Sequence, residues 1–467
     1  MTSGWFAGSG PEGRRPVDRG PKAGDPEDRE VVDLLQALIR NRCVNDGRPG
    51  SGQESSNASL ISGLLTSAGA DVESFEPFPG RVSIVARIEG NDPGAPSLCY
   101  LGHTDVVPVN EDRWSRDPFA GELVDGVVWG RGAVDMLNLT SAMAVAFARL
   151  ARRGFRPKGT LVLAAVADEE ALGSHGAGWL VDHAADAVQA DYVVTEGGCV
   201  PFRAPAGTVL PVPVGEKGTF WCKLRVRGEA SHASMPFRTD NALVTAAEVV
   251  RRLATWRSPA QVHTTWRRLV ESMGFPAGTA QALLDPGSID GALEAMADVG
   301  FARQAHACTH MTVAPTMARG GTKINTVPDT VDLEVDVRTL PGQDEQSVRA
   351  QLWEAVGDLA TKVELVQADY DPPTSSSAGT PLWASLEKLA NVFHPEAKMV
   401  PELMSGATDA RFFRRKGACA YGFGVFSQRL SYDQFTKMFH GDDERVDVQS
   451  LAWSAAAYEQ LAIDFLS

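Results

Sequence analysis

His103, Asp105, Asp135, Glu169, Glu170, Glu196 and His440 are the side chains of this chain whose types and settings could do chemistry. Leu101-Gly102-His103-Thr104-Asp105 closes the apolar run that begins at Ser97, so His103 and Asp105 should stand just past a buried strand. Residues two apart in extended backbone point the same way, which lets Asp105 either fix the imidazole from outside or act as a ligand itself. Gly130-Arg131-Gly132-Ala133-Val134-Asp135 sets a carboxylate between a glycine-rich turn and a helical run. Two more apolar runs end in Asp168-Glu169-Glu170 and in Glu196-Gly197-Gly198, and His440-Gly441-Asp442-Asp443-Glu444 precedes the last helical stretch. Taken singly, each piece reads better as a loop histidine, a helix cap or a solvated turn. Three strand ends carrying an imidazole or an acid along one sheet edge reverse that preference. Nitrogen and oxygen ligands of this kind suit zinc, and one bridging carboxylate can hold two ions about 3.5 to 4 Å apart. His103, Asp135, Glu170, Glu196 and His440 would fill such a binuclear site. Catalytic zinc lowers the pKa of its water to about 7, and Glu169, left over beside it, is placed as a general base.

The elements that must position these groups alternate along the chain. Helical periodicity marks 30–40, 58–70, 140–153 and 177–185, and apolar runs mark 82–88, 97–101, 160–167 and 191–195. That alternation predicts an α/β sheet with helices on both faces and ligands beyond the carboxyl ends of its strands. From about 214 the texture becomes strictly alternating, as in Phe220, Cys222, Leu224 and Val226 against Trp221, Lys223, Arg225 and Arg227, with further runs at 311–317 and 331–338. Helices are expected at 241–253 and 344–359, giving an antiparallel α+β unit over 214–369 with one sheet face open. Within it, 259–307 is an insertion, expected to be helical. The α/β texture resumes after 370 with helices at 382–393 and 448–465 and a strand at 418–426. The first domain, 29–213 and 370–467, is therefore discontinuous.

Composition sets bounds. The chain has 467 residues, beyond one ordinary core, with 43% hydrophobic and 22% charged residues, as in a globular protein. A net charge of −15 argues against nucleic acid or an anionic membrane as partner and for small molecules. Residues 1–28, rich in Gly, Pro and charge without an apolar core segment, are expected to be a disordered tail rather than a signal peptide. Six scattered cysteines without a CxxC read as core residues of a cytoplasmic protein.

In order, these motifs resemble those of the M20 family of zinc metallopeptidases and amidohydrolases. The likeness covers almost everything from about residue 30: His103-x-Asp105, the Gly-Arg-Gly-x-x-Asp ending at Asp135, the glutamate pair, Glu196 and His440-Gly-x-x-Glu444. Gly215-Glu216-Lys217-Gly218, Ser231-His232-Ala233-Ser234-Met235-Pro236, Asn241-Ala242, Asn325-Thr326-Val327-Pro328, Asp336-Val337-Arg338 and Gly406-Ala407-Thr408-Asp409 also fit. The resemblance implies a zinc-hydrolase domain with a mixed sheet flanked by helices, interrupted by a ferredoxin-like α+β lid and dimerisation domain. It implies that Asp135 bridges two zinc ions per chain, with His103 and Glu196 on one and Glu170 and His440 on the other, cobalt or manganese being alternatives. Glu169 would be the base, Asp105 the carboxylate orienting His103, and His232 an oxyanion donor reaching into the partner's site of a homodimer. Arg338 lies on the opposite phase from Val331, Leu333, Val335 and Val337, and its planar guanidinium suits a substrate carboxylate, with Asn325 nearby and Gly406 at the substrate. One departure stands out: Met136-Leu137-Asn138-Leu139 replaces the family's usual Met-Lys-Gly-Gly. The expected activity is hydrolysis of an amide or peptide bond beside a free carboxylate, as in N-acyl amino acids or short peptides, by a metal-bound water activated by Glu169. A metal-dependent dipeptidase is the alternative, and a non-catalytic zinc-binding scaffold the alternative of another class.

Overall fold

Strands buried on both faces need unbroken apolar runs, and Leu98–His103 and Leu161–Val166 are buried at every position. They lie side by side in a six-stranded mixed sheet ordered Val72–Phe78, Arg81–Ile88, Leu161–Val166, Leu98–His103, Tyr192–Thr195, Cys419–Gly422. The last four are mutually parallel, and the first two run antiparallel. The three parallel strands ending at Val166, His103 and Thr195 therefore deliver Glu169 and Glu170, His103, and Glu196 to one edge. Helices Leu137–Arg152 and Val448–Phe465 pack together beneath the sheet within the main core. The computed structural model describes residues 26–467, with side chains from Asp28 onward. Most of the expected tail thus lies outside the described residues, and its end, 26–28, instead forms the first turn of helix Pro26–Arg40. Among the described residues no helix is long and apolar enough to cross a membrane.

The alternating segment forms a second sheet, ordered Thr312–Gly320, Thr330–Thr339, Gly218–Arg227, Val363–Asp371, antiparallel throughout. Helices Ala242–Thr255 and Glu345–Val356 share with it a core of its own around Phe220, Leu224, Leu333 and Leu352. With strands numbered along the chain this spatial order is 4-1-3-2, the ferredoxin-like arrangement. Strand Gly207–Glu216 runs unbroken past residue 213 and pairs in parallel with Lys398–Met404, so the chain enters the second sheet at Lys217-Gly218. The insertion is helical as expected, in four helices between Thr264 and Thr309. They pack on Val209, Val400 and Leu403 of that parallel strand pair.

Candidate metal centre

Each acid and imidazole is placed by backbone that the sequence constrains. Gly132, at φ +93°, tolerates no side chain, since a Cβ would lie 2.5 Å from Leu137 Cδ1. This sharp turn precedes Asp135, and helix Leu137–Arg152 starts directly after it. Met136-Leu137-Asn138-Leu139 thus supplies a buried first turn where the usual motif has two glycines. A three-stranded ribbon, Arg445–Asp447, Val127–Trp129 and Glu122–Val124, brings the His440 loop against the Asp135 loop. Glu444 locks the two: Oε1 accepts the Val134 and Asp135 amides at 2.6 and 2.9 Å, and Oε2 accepts Arg131 Nη1 at 2.7 Å and the Gly132 amide at 3.1 Å. Asp168, Leu172 and His440 adopt left-handed backbone, at φ 72°, 75° and 53°, which non-glycine residues hold only where their surroundings impose it.

The cluster assembles around Asp135. Its Oδ1 lies 3.3 Å from His103 Nε2 and its Oδ2 3.2 Å from His440 Nε2, one oxygen for each imidazole. Glu196 Oε2 stands 3.9 Å from His103 Nε2, and Glu170 Oε2 3.3 Å from His440 Nε2. Two metal-sized groups share Asp135: His103, Asp135 and Glu196, and Asp135, Glu170 and His440. His103, Glu169 and Glu170 form a third grouping, so Glu169 also stands within ligand reach.

Crowded carboxylates disfavour their own charge. Burial and then the Glu196 charge push Glu169 well up; burial and then Asp135 push Glu196 well up and Glu170 to about 7. Hydrogen bonds to Asp135 and Glu170 raise His440 to about 10. Burial alone would lower His103, but its bond to Asp135 and the surrounding acids hold it well above the usual range. Four acids and two imidazoles converging with Glu170 Oε1 buried and unpartnered form a donor set that a cation would satisfy.

Asp105 departs from expectation. The His103 Nδ1 partner is the Asp105 backbone carbonyl at 3.0 Å, whereas the carboxylate stands 3.6 Å away. That carboxylate instead accepts the amides of Glu169 and Glu170 at 3.2 and 3.1 Å and Asn45 Nδ2 at 2.8 Å. Asn45 is held in turn by Arg81 at 2.9 Å, which also binds Glu54 and faces Asp168 at 3.4 Å. Asn45, Arg81 and Glu54 escaped the sequence reading, because nothing in their spacing ties them to the motifs; Asp168, which heads the glutamate pair, faces Arg81 in the same network. Arg411, buried on the wall of the cleft, escaped as well; its guanidinium is fixed by the carbonyls of Thr408 and Leu172 and by Asp371.

A cleft of about 540 Å³ opens on Asp135, Glu169, Glu170, Glu196 and His440, and Arg338 and Gly406 lie on its wall. Arg338 faces it with Nε and Nη2 engaged by Asp336 at 2.8 and 3.0 Å, so two donors of its fork are already used. His232 and Asn325 are not brought to this cleft. They lie on a short exposed ribbon in which His232 pairs with Thr326, and the Ala233 amide donates to the Asn325 carbonyl.

A family model described as Peptidase family M20/M25/M40 matches residues 99–464. The chain belongs to this family. It is a metal-dependent hydrolase of C–N amide or peptide bonds. Human aminoacylase-1 is 26% identical over 429 residues, covering 91% of this chain and 92% of that one. The fold is similar to that of an M20 family metallo-carboxypeptidase from Sulfolobus solfataricus, with TM-score 0.68 and 18% identity over 94% of this chain and 99% of the other. It is also similar to a Bacillus subtilis protein described as a dinuclear metal-binding peptidase of the M20 family, with TM-score 0.57 and 14% identity over 94% and 98% of the two chains.

Proposed function

We propose that this M20 member is a dinuclear zinc hydrolase that releases an amino acid with a free carboxylate from an apolar acyl group or residue. The observation that carries this is Asp135 offering one oxygen to each half of a cluster on the cleft floor. His103 and Glu196 would hold one ion, Glu170 and His440 the other, with Asp135 common to both. When bound, the ions supply Lewis acidity toward the scissile carbonyl and toward water. Glu169 takes the proton of the attacking water and returns it to the leaving amine nitrogen. Asp105 holds the Glu169 and Glu170 amides and so fixes where that carboxyl points.

Arg338, with Nη1 free of the Asp336 pair, would take the substrate carboxylate, and Gly406 lines the same cleft with open space before it. An apolar side cavity of about 180 Å³, walled by Phe202, Trp266, Leu269, Met273 and Phe301, shares Gln304, Glu402 and Tyr432 with the cleft. It supports an apolar acyl group or side chain on the other side of the bond. The α+β unit serves as lid and dimerisation domain, with His232 completing the partner's site. Free, mostly buried cysteines fit a reducing, cytoplasmic setting.

Glu169→Gln tests the assignment. It should keep both zinc ions by elemental analysis and lose about 10²- to 10⁴-fold in turnover on N-acyl amino acids. A variant that sheds an ion and keeps its rate would exchange the roles of Glu169 and Glu170.

A further inference from the structure

The insertion carries a second group of ligand type, apart from the cleft. Asp290 on helix Ile289–Glu294, His306 on helix Val299–Thr309 and His310 just beyond it offer one ligand atom each, all within 4.8 Å of one another. His306 and His310 are four residues apart, and their rings stack with centroids 4.3 Å apart and an interplanar angle of 5°. His310 is fully buried, while Asp290 is half exposed.

The hydrogen bonds fix which nitrogen of His310 is free. The Thr309 hydroxyl donates its one hydrogen to the Ala305 carbonyl at 2.7 Å, so toward His310 Nδ1, 2.9 Å away, it can only accept. Nδ1 therefore carries a proton, and the His306 carbonyl at 3.3 Å is a further acceptor for it. In the neutral ring Nε2 is then the lone-pair nitrogen, and it faces Asp290 Oδ1 at 3.1 Å. A lone pair held against a carboxylate oxygen needs something positive between them. His306 Nε2 is also buried without a hydrogen-bond partner. A second proton on His310 would answer the first contact and leave His306 unanswered; a divalent cation answers both.

We propose that Asp290, His306 and His310 form a separate site for a borderline divalent cation, zinc above all, with solvent completing the coordination on the Asp290 side. Two imidazoles and one carboxylate with an open position are a donor set zinc accepts. His310 Nε2 and Asp290 Oδ1 already stand 3.1 Å apart, about the roughly 3.3 Å separation of donors around zinc, so loading the site requires mainly that the stacked imidazoles tilt toward a common point. The ion would clasp the last two helices of the insertion. It would sit next to the root of the lid, because Lys217, at the entry into the second sheet, donates to the carbonyls of Ala307 and His310 at 2.8 and 2.7 Å. Lys217 and Arg257 both act electrostatically on the two histidines, and only one carboxylate opposes them, so this site fills after the acid-rich centre.

The test compares zinc content after equilibrium dialysis of the full chain, Asp290→Ala and His306→Gln against the same free zinc. Each variant should hold one equivalent less than its parent and hydrolyse at an unchanged rate when zinc is limiting. The difference does not depend on how many ions the cleft holds. Cobalt-loaded parent minus Asp290→Ala should show the visible absorption of one low-coordinate site. Equal zinc in parent and variants overturns the proposal and leaves a protonated His310 paired with Asp290. If His306→Gln fails to fold, Asp290→Ala decides alone, since its half-exposed side chain can be lost without disturbing the core.

Discussion

Asp105 is buried and stands outside the metal-sized groups, yet its carboxylate is where the glutamate pair is anchored. Removing an outer-shell partner of this kind typically costs about 10- to 100-fold in metal affinity or activity. Asp105→Ala should therefore lose about that much, and the loss should fall on one ion. The His103 side keeps its Nδ1 partner because that partner is a backbone carbonyl. Zinc titration followed by calorimetry should resolve one weakened and one near-normal site; equal weakening would return Asp105 to the role expected from its spacing. Glu402, on the wall shared by the cleft and the side cavity, behaves differently. Burial raises it from 4.5 to about 7, with only long contacts to Tyr432 and Gln304 opposing. A carboxyl whose folded pKa lies above its unfolded one takes up a proton on folding between those values. The stability this gives is present below pH 4.5 and is lost as pH rises through 7. Glu402→Gln should thus gain about 1 to 2 kcal/mol over the parent at pH 8 and almost nothing at pH 4.5, measured by urea unfolding. A gain independent of pH would mean that the side chain is not the titrating group.

The elements show how two distant motifs become one. Residues 130–135 and 440–444 meet because the ribbon through Val127–Trp129 and Arg445–Asp447 aligns them, and because Glu444 takes three amides and a buried guanidinium from the first loop. Both Arg131 and Glu444 are buried, so removing the acid leaves an uncompensated charge, a loss of about 3 to 5 kcal/mol. Glu444→Ala should be destabilised by that much in urea, with and without metal, and Glu444→Gln by less, as it keeps some of the acceptors. A loss below about 1 kcal/mol would mean that the ribbon alone holds the loops. The sequence revealed this coupling only as a motif. The strands ending at His103, Val166 and Thr195 were legible because burial on both faces demands continuous apolar residues, and the second sheet because one open face demands alternation. Strand Val72–Phe78 was not legible: it is an edge strand with no fully buried position, and Glu73, Ser74 and Glu76 break up its apolar residues, so no continuous pattern is imposed on it. Glu216 illustrates the same limit. Its motif reads like a site, but the structure uses it to accept from Thr408 and Arg414, tying Gly215–Gly218 to Gly406–Asp409.

On the scale of the whole molecule, the described chain places two of its expected site residues on the outside. His232 sits on the ribbon Ser231–His232/Thr326–Val327 and Asn325 in the turn just before its second strand, and around that ribbon Met235, Phe237, Leu243, Val244 and Ile324 are exposed, Phe237 at 83% and Ile324 at 99%. Single exposed apolar side chains are ordinary, but five on neighbouring segments of one small unit point to a surface that is covered in use. The sheet edge Thr312–Gly320, which is largely exposed, belongs to the same unit. A second copy binding there by two-fold symmetry would bury the same patch on both chains, and each copy would present its His232 to the other. An oxyanion donor typically contributes about 10²- to 10³-fold to turnover, so His232→Ala should fall by that factor while zinc content stays unchanged. A single variant cannot say which subunit the histidine serves; mixed dimers can. Glu169→Gln chains lack the base and His232→Ala chains lack the donor. In a heterodimer of the two, acting in trans gives one site lacking both groups and one site with both intact. Mixing the inactive homodimers under exchange conditions should therefore restore turnover to about half of the parent's per heterodimer, with the heterodimer fraction read by native mass spectrometry. If heterodimers form and activity stays at the level of the separate variants, each His232 serves its own chain or none, and the exposed patch has another purpose.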